Sequence, residues 1–394
     1  MPSPLEGVRV LELGHFIAGP FVGLQLADLG AEVIKIERPG EGDPMRGFGT
    51  GPRTQGYSHN FCAFNRNKLS LTIDLSNPRG QDLFRKLAST ADVVVENFRS
   101  GVMKRLGIDY EVLRQVSPRL VYCSISGFSE DGPYRDKPAY DAIGQALSGM
   151  LSLFLDASDP RMVGPTLADQ MTGAQACNSI LAAMYQRERT GKGARIDLTL
   201  IEASMYFMPD SFTAYTHSGV VMGPESRAGF SMAFVFNCTD GMVALQTSSI
   251  ERFWRGLLAA AERQDIGDDP RFQDRAGRIR NFDALIDVMR PVFASKSRSH
   301  WLERLSAHDV PCAPVHTIPE AMADPEVKHL GLFHQLEHAR YGKLTTMRRA
   351  TRIDGQREPD PLPPPALGEH TERVLRDLGL AATEIAELQA AQII

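Results

Sequence analysis

The sequence predicts an α/β protein in which a doubly wound, Rossmann-like large domain is joined to a smaller α+β domain. Strand-like and helix-like segments alternate over about 130 residues of the N-terminal part, which is typical of βαβ crossovers in a parallel sheet. From residue 230 onward the pattern changes to a hairpin followed by helices. The 394 residues suffice for about two to three domains, and 43% hydrophobic residues is an ordinary globular composition.

The first βαβ unit lies at the start of the chain. Compact apolar runs at 8–13 and 31–37 are predicted strands, and a helix is predicted between them at 21–29. The loop after the first strand reads GHFIAGP, so it lacks the G-x-G-x-x-G spacing that brings a backbone close to a pyrophosphate. A nicotinamide-dependent oxidoreductase is therefore disfavoured.

The alternation continues through the rest of the large domain. Strands are predicted at 69–75, 91–96, 120–126 and 194–200, and helices at 77–90, 101–106, 110–115 and 202–215. A long helix within 164–193 is predicted to end at the glycines of Thr-Gly-Lys-Gly.

The second half divides into a linker, a small domain and a return segment. The small domain is predicted to hold a hairpin at 234–246, with Asp240-Gly241 at the turn, and helices at 250–261, 281–294 and 299–308. A proline-rich extended segment follows at 352–367, and closing helices at 371–378 and 383–391. The predicted domains are 1–218 for the first part of the large domain, 219–229 for the linker, 230–320 for the small domain and 321–394 for the return linker and the rest of the large domain.

Composition excludes several classes of function. A formal net charge of -5 gives no overall field that would attract nucleic acid. The five cysteines are scattered without C-x-x-C spacing, so we expect no metal site, and a reducing compartment. The N-terminus does not resemble a signal peptide, and no apolar run is long enough to span a membrane. The expectation is a soluble cytoplasmic protein.

Asp169 lies where the predicted loop becomes the long helix. The first-turn N–H groups and the helix dipole are expected to favour its ionised form. An ionised carboxylate there can attack an activated acyl group. It can equally be a plain N-cap, which aspartate forms well, and the local sequence alone favours the cap.

Four polar side chains fall at or just after predicted strand ends: Arg38, Asn97, Arg105 and Lys137. In a doubly wound sheet these ends meet at one edge, so the set suggests a polyanionic ligand with separate phosphates. Taken singly, each cation is better explained as a surface charge. His15 in the first loop is either structural or a base that needs an oriented partner.

Long blocks of the chain resemble the family III CoA-transferases, the group of formyl-CoA transferase and the carnitine CoA-transferases. They occur in the order GVRVLELGHFIAGP, GAEVIKIERPGEGDPMR, NRNKLSLTIDL, ADVVVENFRSGVMKRLGIDYEVL, KPAYDAIGQALSGM and TLADQMTGAQACNSILAAMYQRERTGKGARIDLTLIEA, with PALGEHTERVLRDLGL near the end. The resemblance covers nearly the whole chain and is least clear over 230–332.

The resemblance implies an interlocked homodimer and a nucleophilic Asp169. In this family the carboxylate attacks an acyl-CoA thioester to give a mixed anhydride, and the released CoA thiolate then forms an aspartyl-CoA thioester. The implied substrates are an acyl-CoA and a carboxylic acid. Separately from the resemblance, His15 of the first loop is a candidate substrate-binding residue. The positions that match the family's CoA-contacting segments are Ile17, Ala18, Arg38, Ile73, Asp74, Leu75, Ser76, Asn97, Phe98, Arg99, Arg105, Lys137 and Tyr140.

Two departures from the family's patterns narrow the function. Oxalate-directed members carry glutamine where this chain has Ile17, and an apolar side chain cannot bind a second carboxylate, so oxalate is disfavoured. The racemase branch carries a catalytic histidine where this chain has Tyr140, and a phenol is a poor substitute for an imidazole base. The alternatives are an acyl-CoA isomerase, by racemisation or intramolecular transfer, and a non-catalytic CoA-binding protein. Succinyl-CoA with a dicarboxylic or hydroxy-acid acceptor is the substrate pair that the family suggests.

Overall fold

The protein is described here by a computed structural model that covers residues 3–49, 58–338, 342–357 and 359–394. A six-stranded parallel sheet has the order β3-β2-β1-β4-β5-β6. Its strands are β1 Arg9–Glu12, β2 Glu32–Glu37, β3 Lys68–Thr72, β4 Val93–Glu96, β5 Val121–Ser126 and β6 Ala194–Thr199. The predicted mixed α/β fold with a parallel sheet is therefore confirmed, and the order of its strands reverses between β1 and β4.

Nineteen α-helices lie within the described residues. In chain order they are α1 Ala18–Asp28, α2 His59–Asn65, α3 Pro78–Ala88, α4 Val102–Arg105, α5 Tyr110–Val116, α6 Asp141–Leu147, α7 Leu167–Thr190, α8 Leu200–Tyr206, α9 Pro209–Ser218, α10 Ser226–Ser231, α11 Glu251–Ala261, α12 Gln264–Asp268, α13 Arg275–Arg280, α14 Phe282–Phe293, α15 Arg298–Ala307, α16 Ile318–Ala323, α17 Pro325–Leu330, α18 Thr371–Asp377 and α19 Ala382–Ala390. Short 3-10 helices occupy Pro44–Arg46 and Met150–Leu153.

Both faces of the parallel sheet are buried beneath helices. Alternate residues of one strand point to opposite faces, so Val10 packs with α1 and α7 while Leu11 packs with α3, α5, α18 and α19. This explains why the strands read as nearly continuous apolar runs rather than as alternating ones.

The chain divides into two compact units. One comprises Met1–Leu151, Gly164–Pro209 and Leu330–Ile394, and it contains the parallel sheet. It also contains an antiparallel ribbon of β10 Phe333–His338 and β11 Gly342–Met347. The boundaries predicted from the sequence, at 219–229 and at 320, stay predictions.

The other unit comprises Ser152–Val163 and Asp210–His329. Its antiparallel sheet has the order β7-β8-β9, formed by β7 Ala233–Cys238, β8 Gly241–Gln246 and β9 Cys312–Pro314. Aromatic side chains fill its core, including Phe236 and Phe293, whose ring centroids are 4.4 Å apart.

Two predictions from the sequence need correction. The helix expected at 202–215 is two helices, α8 and α9, because Pro209 cannot continue a helix and disfavours helical backbone at Met208. Part of the segment predicted as a linker is helical, since α10 begins at Ser226. In the part of the chain that the structure describes, no helix is long and apolar enough to cross a membrane.

Candidate active site

A cavity of about 260 Å³ opens at the carboxyl ends of the central strands. The loops after β1, β4 and β5 supply most of its wall, and Asp169 and Leu200 complete it. The lining residues are His15, Phe16, Ile17, Ala18, Asn97, Phe98, Arg99, Ile125, Ser126, Gly127, Ala139, Tyr140, Asp169 and Leu200. Because the strand order reverses between β1 and β4, this is where an open α/β sheet binds its ligands.

The loop between β1 and α1 is built around two glycines in close contact. A Cβ atom added at Gly14 would lie 2.8 Å from the Cα atom of Gly19, and the reverse substitution meets the same contact. This approach lets His15 and Asn97 bond reciprocally: the His15 N–H donates to Asn97 Oδ1 at 2.8 Å, and Asn97 Nδ2 donates to the His15 carbonyl at 2.8 Å. The GHFIAGP motif therefore joins the ends of two neighbouring strands.

The structure corrects the simplest interpretation of Asp169. Helix α7 begins at Leu167 with Thr166 as its N-cap residue, so Asp169 is the third helical residue and not the cap. Its backbone N–H donates to Asp141 Oδ1 at 3.2 Å. Asp141 is buried, and its Oδ2 accepts a 2.7 Å bond from Gln145 Nε2. A second carboxylate is thus held close to Asp169.

Asp169 also differs from expectation in its protonation. Burial raises the pKa of its carboxyl from 3.8 to about 7, and the negative charge of Asp141 adds to the rise. The expectation that the helix start would favour the ionised form is therefore wrong, because desolvation dominates. A carboxylate of raised basicity is a better nucleophile than an exposed one whenever it is ionised.

The neighbours of Asp169 are partly aromatic. Tyr140 is 61% exposed, and its ring meets the Phe16 ring edge-on at 5.5 Å. The His15 ring packs against Phe98 at 5.3 Å. Burial, and then the positive charge of Lys35, lower the pKa of His15, so its imidazole is neutral at pH 7. Ile17 is buried in a small apolar cluster with Met45, Phe61 and Cys62.

Seven of the predicted CoA-contacting residues lie in the described part of the chain but do not line this cavity: Arg38, Ile73, Asp74, Leu75, Ser76, Arg105 and Lys137. Arg38 follows β2 and pairs with Glu41, Nη1 to Oε2, at 3.4 Å on the surface. Lys137 lies 4.1 Å above the Tyr134 ring. Among 73–76, the Ser76 hydroxyl and N–H both bond to Asp74 Oδ1 ahead of α3. Their contact with CoA stays a prediction.

Buried charges near the site escaped the sequence analysis. Glu96 ends β4 and lines an adjacent cavity of about 420 Å³ that shares Phe98, Arg99 and Ser126 with the first. Burial raises the pKa of Glu96 to about 7. Lys35 is fully buried in the middle of β2. The sequence feature that could have revealed them is a charged residue within or at the end of an apolar strand, as in AEVIKIE and ADVVVE. Within the described residues, no group of three His, Cys, Asp or Glu side chains could hold a metal ion.

The chain is similar to characterised proteins over nearly all of its length. A family model described as CoA-transferase family III matches residues 5–371. Succinyl-CoA:glutarate CoA-transferase of Mus musculus is 31% identical over 384 residues, covering 95% of this chain and 86% of the relative. Succinyl-CoA–D-citramalate CoA-transferase of Chloroflexus aurantiacus is 32% identical, covering 100% of this chain and 98% of the relative.

The chain is also similar to a CoA-transferase named for oxalate and to a protein of known structure. Acetyl-CoA:oxalate CoA-transferase of Acetobacter aceti is 35% identical over 328 residues, covering 82% of this chain and 84% of the relative. A crystal structure of a CAIB/BAIF family protein from Brucella suis superposes with a TM-score of 0.83 at 31% identity, covering 96% of this chain and 100% of that one. The chain therefore belongs to CoA-transferase family III and is a CoA-transferase.

Proposed function

We propose that Asp169 is the nucleophile that carries the acyl group and then CoA between two carboxylic acids. The observation that carries this proposal is a carboxyl of pKa about 7 in a cavity at the reversal of the strand order. Near neutral pH a large fraction of it is ionised, and its basicity exceeds that of an ordinary aspartate.

The proposed reaction consists of four acyl-transfer steps, and the thioester broken in the donor is re-formed in the product. An Asp169 oxygen attacks the thioester carbonyl, the C–S bond breaks, and CoA leaves as the thiolate. The thiolate attacks the aspartyl carbonyl and expels the donor acid as its carboxylate, which leaves an aspartyl-CoA thioester. The acceptor carboxylate attacks this thioester and releases the thiolate again. Attack of the thiolate on the acceptor carbonyl then gives the new acyl-CoA and frees Asp169.

Groups around the cavity fit the binding of a CoA thioester. Phe16, Phe98 and Tyr140 offer aromatic surface to the acyl and pantetheine chains, and Arg99 offers a positive charge. Arg38 directly follows β2, Arg105 ends α4, the helix after β4, and Lys137 lies between β5 and α6; all three are proposed to hold the CoA phosphates. The segment 73–76 after β3 is proposed to line the path of the nucleotide.

Succinyl-CoA is the proposed donor, and a dicarboxylic or hydroxy acid the proposed acceptor. The mouse and Chloroflexus relatives are named for succinyl-CoA with glutarate and with citramalate. The apolar, buried Ile17 offers no hydrogen bond to a small second carboxylate, which argues against oxalate although one relative is named for it.

An interlocked homodimer in the cytoplasm is the proposed working form. Large apolar side chains are strongly exposed along the segment that joins the two units, including Tyr206 at 74%, Phe207 at 66% and Tyr215 at 61%. A second copy of the chain would remove such surface from water.

The function is tested by offering the enzyme a panel of acyl-CoAs with a panel of acids and reading new acyl-CoAs by mass spectrometry. Exchange between succinyl-CoA and a dicarboxylic or hydroxy acid is expected, with little exchange to oxalate. Tight acyl-CoA binding without any exchange would instead identify a non-catalytic CoA-binding protein.

A further inference from the structure

We propose that Lys35 and Asp43 are positioning residues that hold the loop after β1 in the shape required beside Asp169. The inference rests on the proposed function of that cavity and extends it to side chains outside the cavity wall. The loop residues concerned are His15, Phe16 and Ile17.

Four charged side chains form a buried network beneath this loop. Lys35 Nζ lies 2.9 Å from Glu12 Oε1 and 2.9 Å from Asp43 Oδ2, and Lys68 Nζ lies 2.6 Å from Glu12 Oε2. The side chains of all four have 0% exposure. Two positive and two negative charges balance one another, so removing one partner leaves another charge buried and uncompensated.

The network bonds to the loop backbone on both sides of His15. Lys35 Nζ donates to the Gly14 carbonyl at 2.6 Å. Asp43 Oδ1 accepts the Phe16 N–H at 3.2 Å and the Met45 N–H at 2.9 Å. The ion pair between Lys35 Nζ and Asp43 Oδ2 holds the carboxylate in the orientation in which Oδ1 receives the Phe16 N–H.

Phe16 needs this support because its backbone is in the left-handed region. Its φ is +61°, which a side chain with a Cβ atom adopts only when the surroundings impose it. Through this conformation the Phe16 ring meets Tyr140, and the His15 backbone meets Asn97. If Asp43 is lost, the loop is free to relax, and the cavity wall next to Asp169 changes shape.

A second buried ion pair in the same unit supplies a matched control. Asp28 pairs with Arg66, and both residues are less than 10% exposed. Asp28 is the last residue of α1, and the loop in question precedes the first residue of that helix. Asp28→Asn therefore weakens a comparable buried pair at the far end of α1.

The test compares the full-length variants Asp43→Ala, Asp43→Asn and Asp28→Asn. Their Tm, kcat and KM for succinyl-CoA are measured, together with hydrogen exchange of a peptide covering 13–18. Asp43→Ala is expected to lower kcat about 100-fold, because a displacement of about 1 Å near the reacting atoms suffices for that. Its KM should rise less than kcat falls, since the loop offers Phe16 to the acyl and pantetheine chains while the proposed phosphate contacts lie outside it. Its loop amides should exchange at least about tenfold faster than in the wild type.

Asp43→Asn keeps an oxygen for the Phe16 N–H but loses the charge that orients it, so both effects should be intermediate. Asp28→Asn should lower Tm while keeping kcat within about threefold and loop exchange unchanged. The inference is overturned if the Asp43 variants fold and show the same loop hydrogen exchange and the same kcat as the wild type. If Asp43→Ala does not fold, the result for Asp43→Asn decides. The inference is also overturned if Asp28→Asn loses as much kcat. If the wild-type enzyme transfers no CoA, only the proposed function fails. The role of Asp43 in holding the loop is still tested, because hydrogen exchange of the loop amides needs no turnover.

Discussion

Replacing Asp169 by asparagine is expected to stabilise the folded protein at pH 8, although it removes the proposed nucleophile. Burial and the nearby Asp141 charge disfavour the ionised carboxylate in the folded state. An asparagine of the same shape carries no charge and avoids that penalty. If Asp169 is the nucleophile, as proposed, stability is sacrificed at this position for reactivity.

The size of the effect follows from the pKa of Asp169. A rise from 3.8 to about 7 corresponds to about 4 kcal/mol at about 1.4 kcal/mol per pH unit. Between these two values the folded state binds more protons at this site than the unfolded state does. The free energy of unfolding therefore falls as pH rises through this window, and the loss is complete above pH 7.

The assay is denaturation by urea at fixed protein concentration, at several pH values from 4 to 8. The difference in free energy of unfolding between Asp169→Asn and the wild type should be small at pH 4 and should grow to several kcal/mol by pH 8. Asp136→Asn is the control, because its carboxylate is 90% exposed and should change stability little at any pH. A difference that does not grow with pH, or an asparagine variant that is less stable at pH 8, would refute the reasoning.

Three further predictions concern the cofactor, the assembly and the reaction type. Arg38→Ala and Arg105→Ala should each weaken CoA binding by roughly 1 to 3 kcal/mol in calorimetry, and unchanged affinity in both would remove them from the site. Dilution should give no folded monomer by light scattering, since interlocked chains must unthread to separate, and an active monomer would contradict interlocking. A 2-methylacyl-CoA should take up no α-deuterium from heavy water, because the resemblance places Tyr140 where the racemase branch carries its histidine base. Rapid uptake without a covalent adduct would favour the isomerase.

The local sequence pattern was sufficient to predict strands of the parallel sheet and helices that pack on it. The strand predicted at 31–37 is Glu32–Glu37, and the helix predicted at 77–90 is Pro78–Ala88, with proline at its first position as expected. Apolar runs and capping residues are read within a few neighbours, so such segments need no tertiary information.

The chemistry of the site depends on contacts that sequence order does not reveal. The pKa of Asp169 is set by burial and by Asp141, which lies 28 residues earlier. Lys35 is a charged residue within an apolar strand, and its ion-pair partners Glu12 and Asp43 are identified only in the folded structure. The resemblance supplied the candidate residues, and six of its thirteen CoA-contacting positions line one cavity with His15 and Asp169 only once the chain is folded.

The central claim is a covalent intermediate on Asp169. The most direct measurement is to add hydroxylamine or borohydride during turnover with succinyl-CoA and acceptor, and to map the modified peptide by mass spectrometry. The account predicts modification of Asp169 that requires acyl-CoA, and no exchange by Asp169→Ala. Turnover without any adduct on Asp169, or an Asp169→Ala enzyme that keeps more than about a few per cent of the rate, would contradict it.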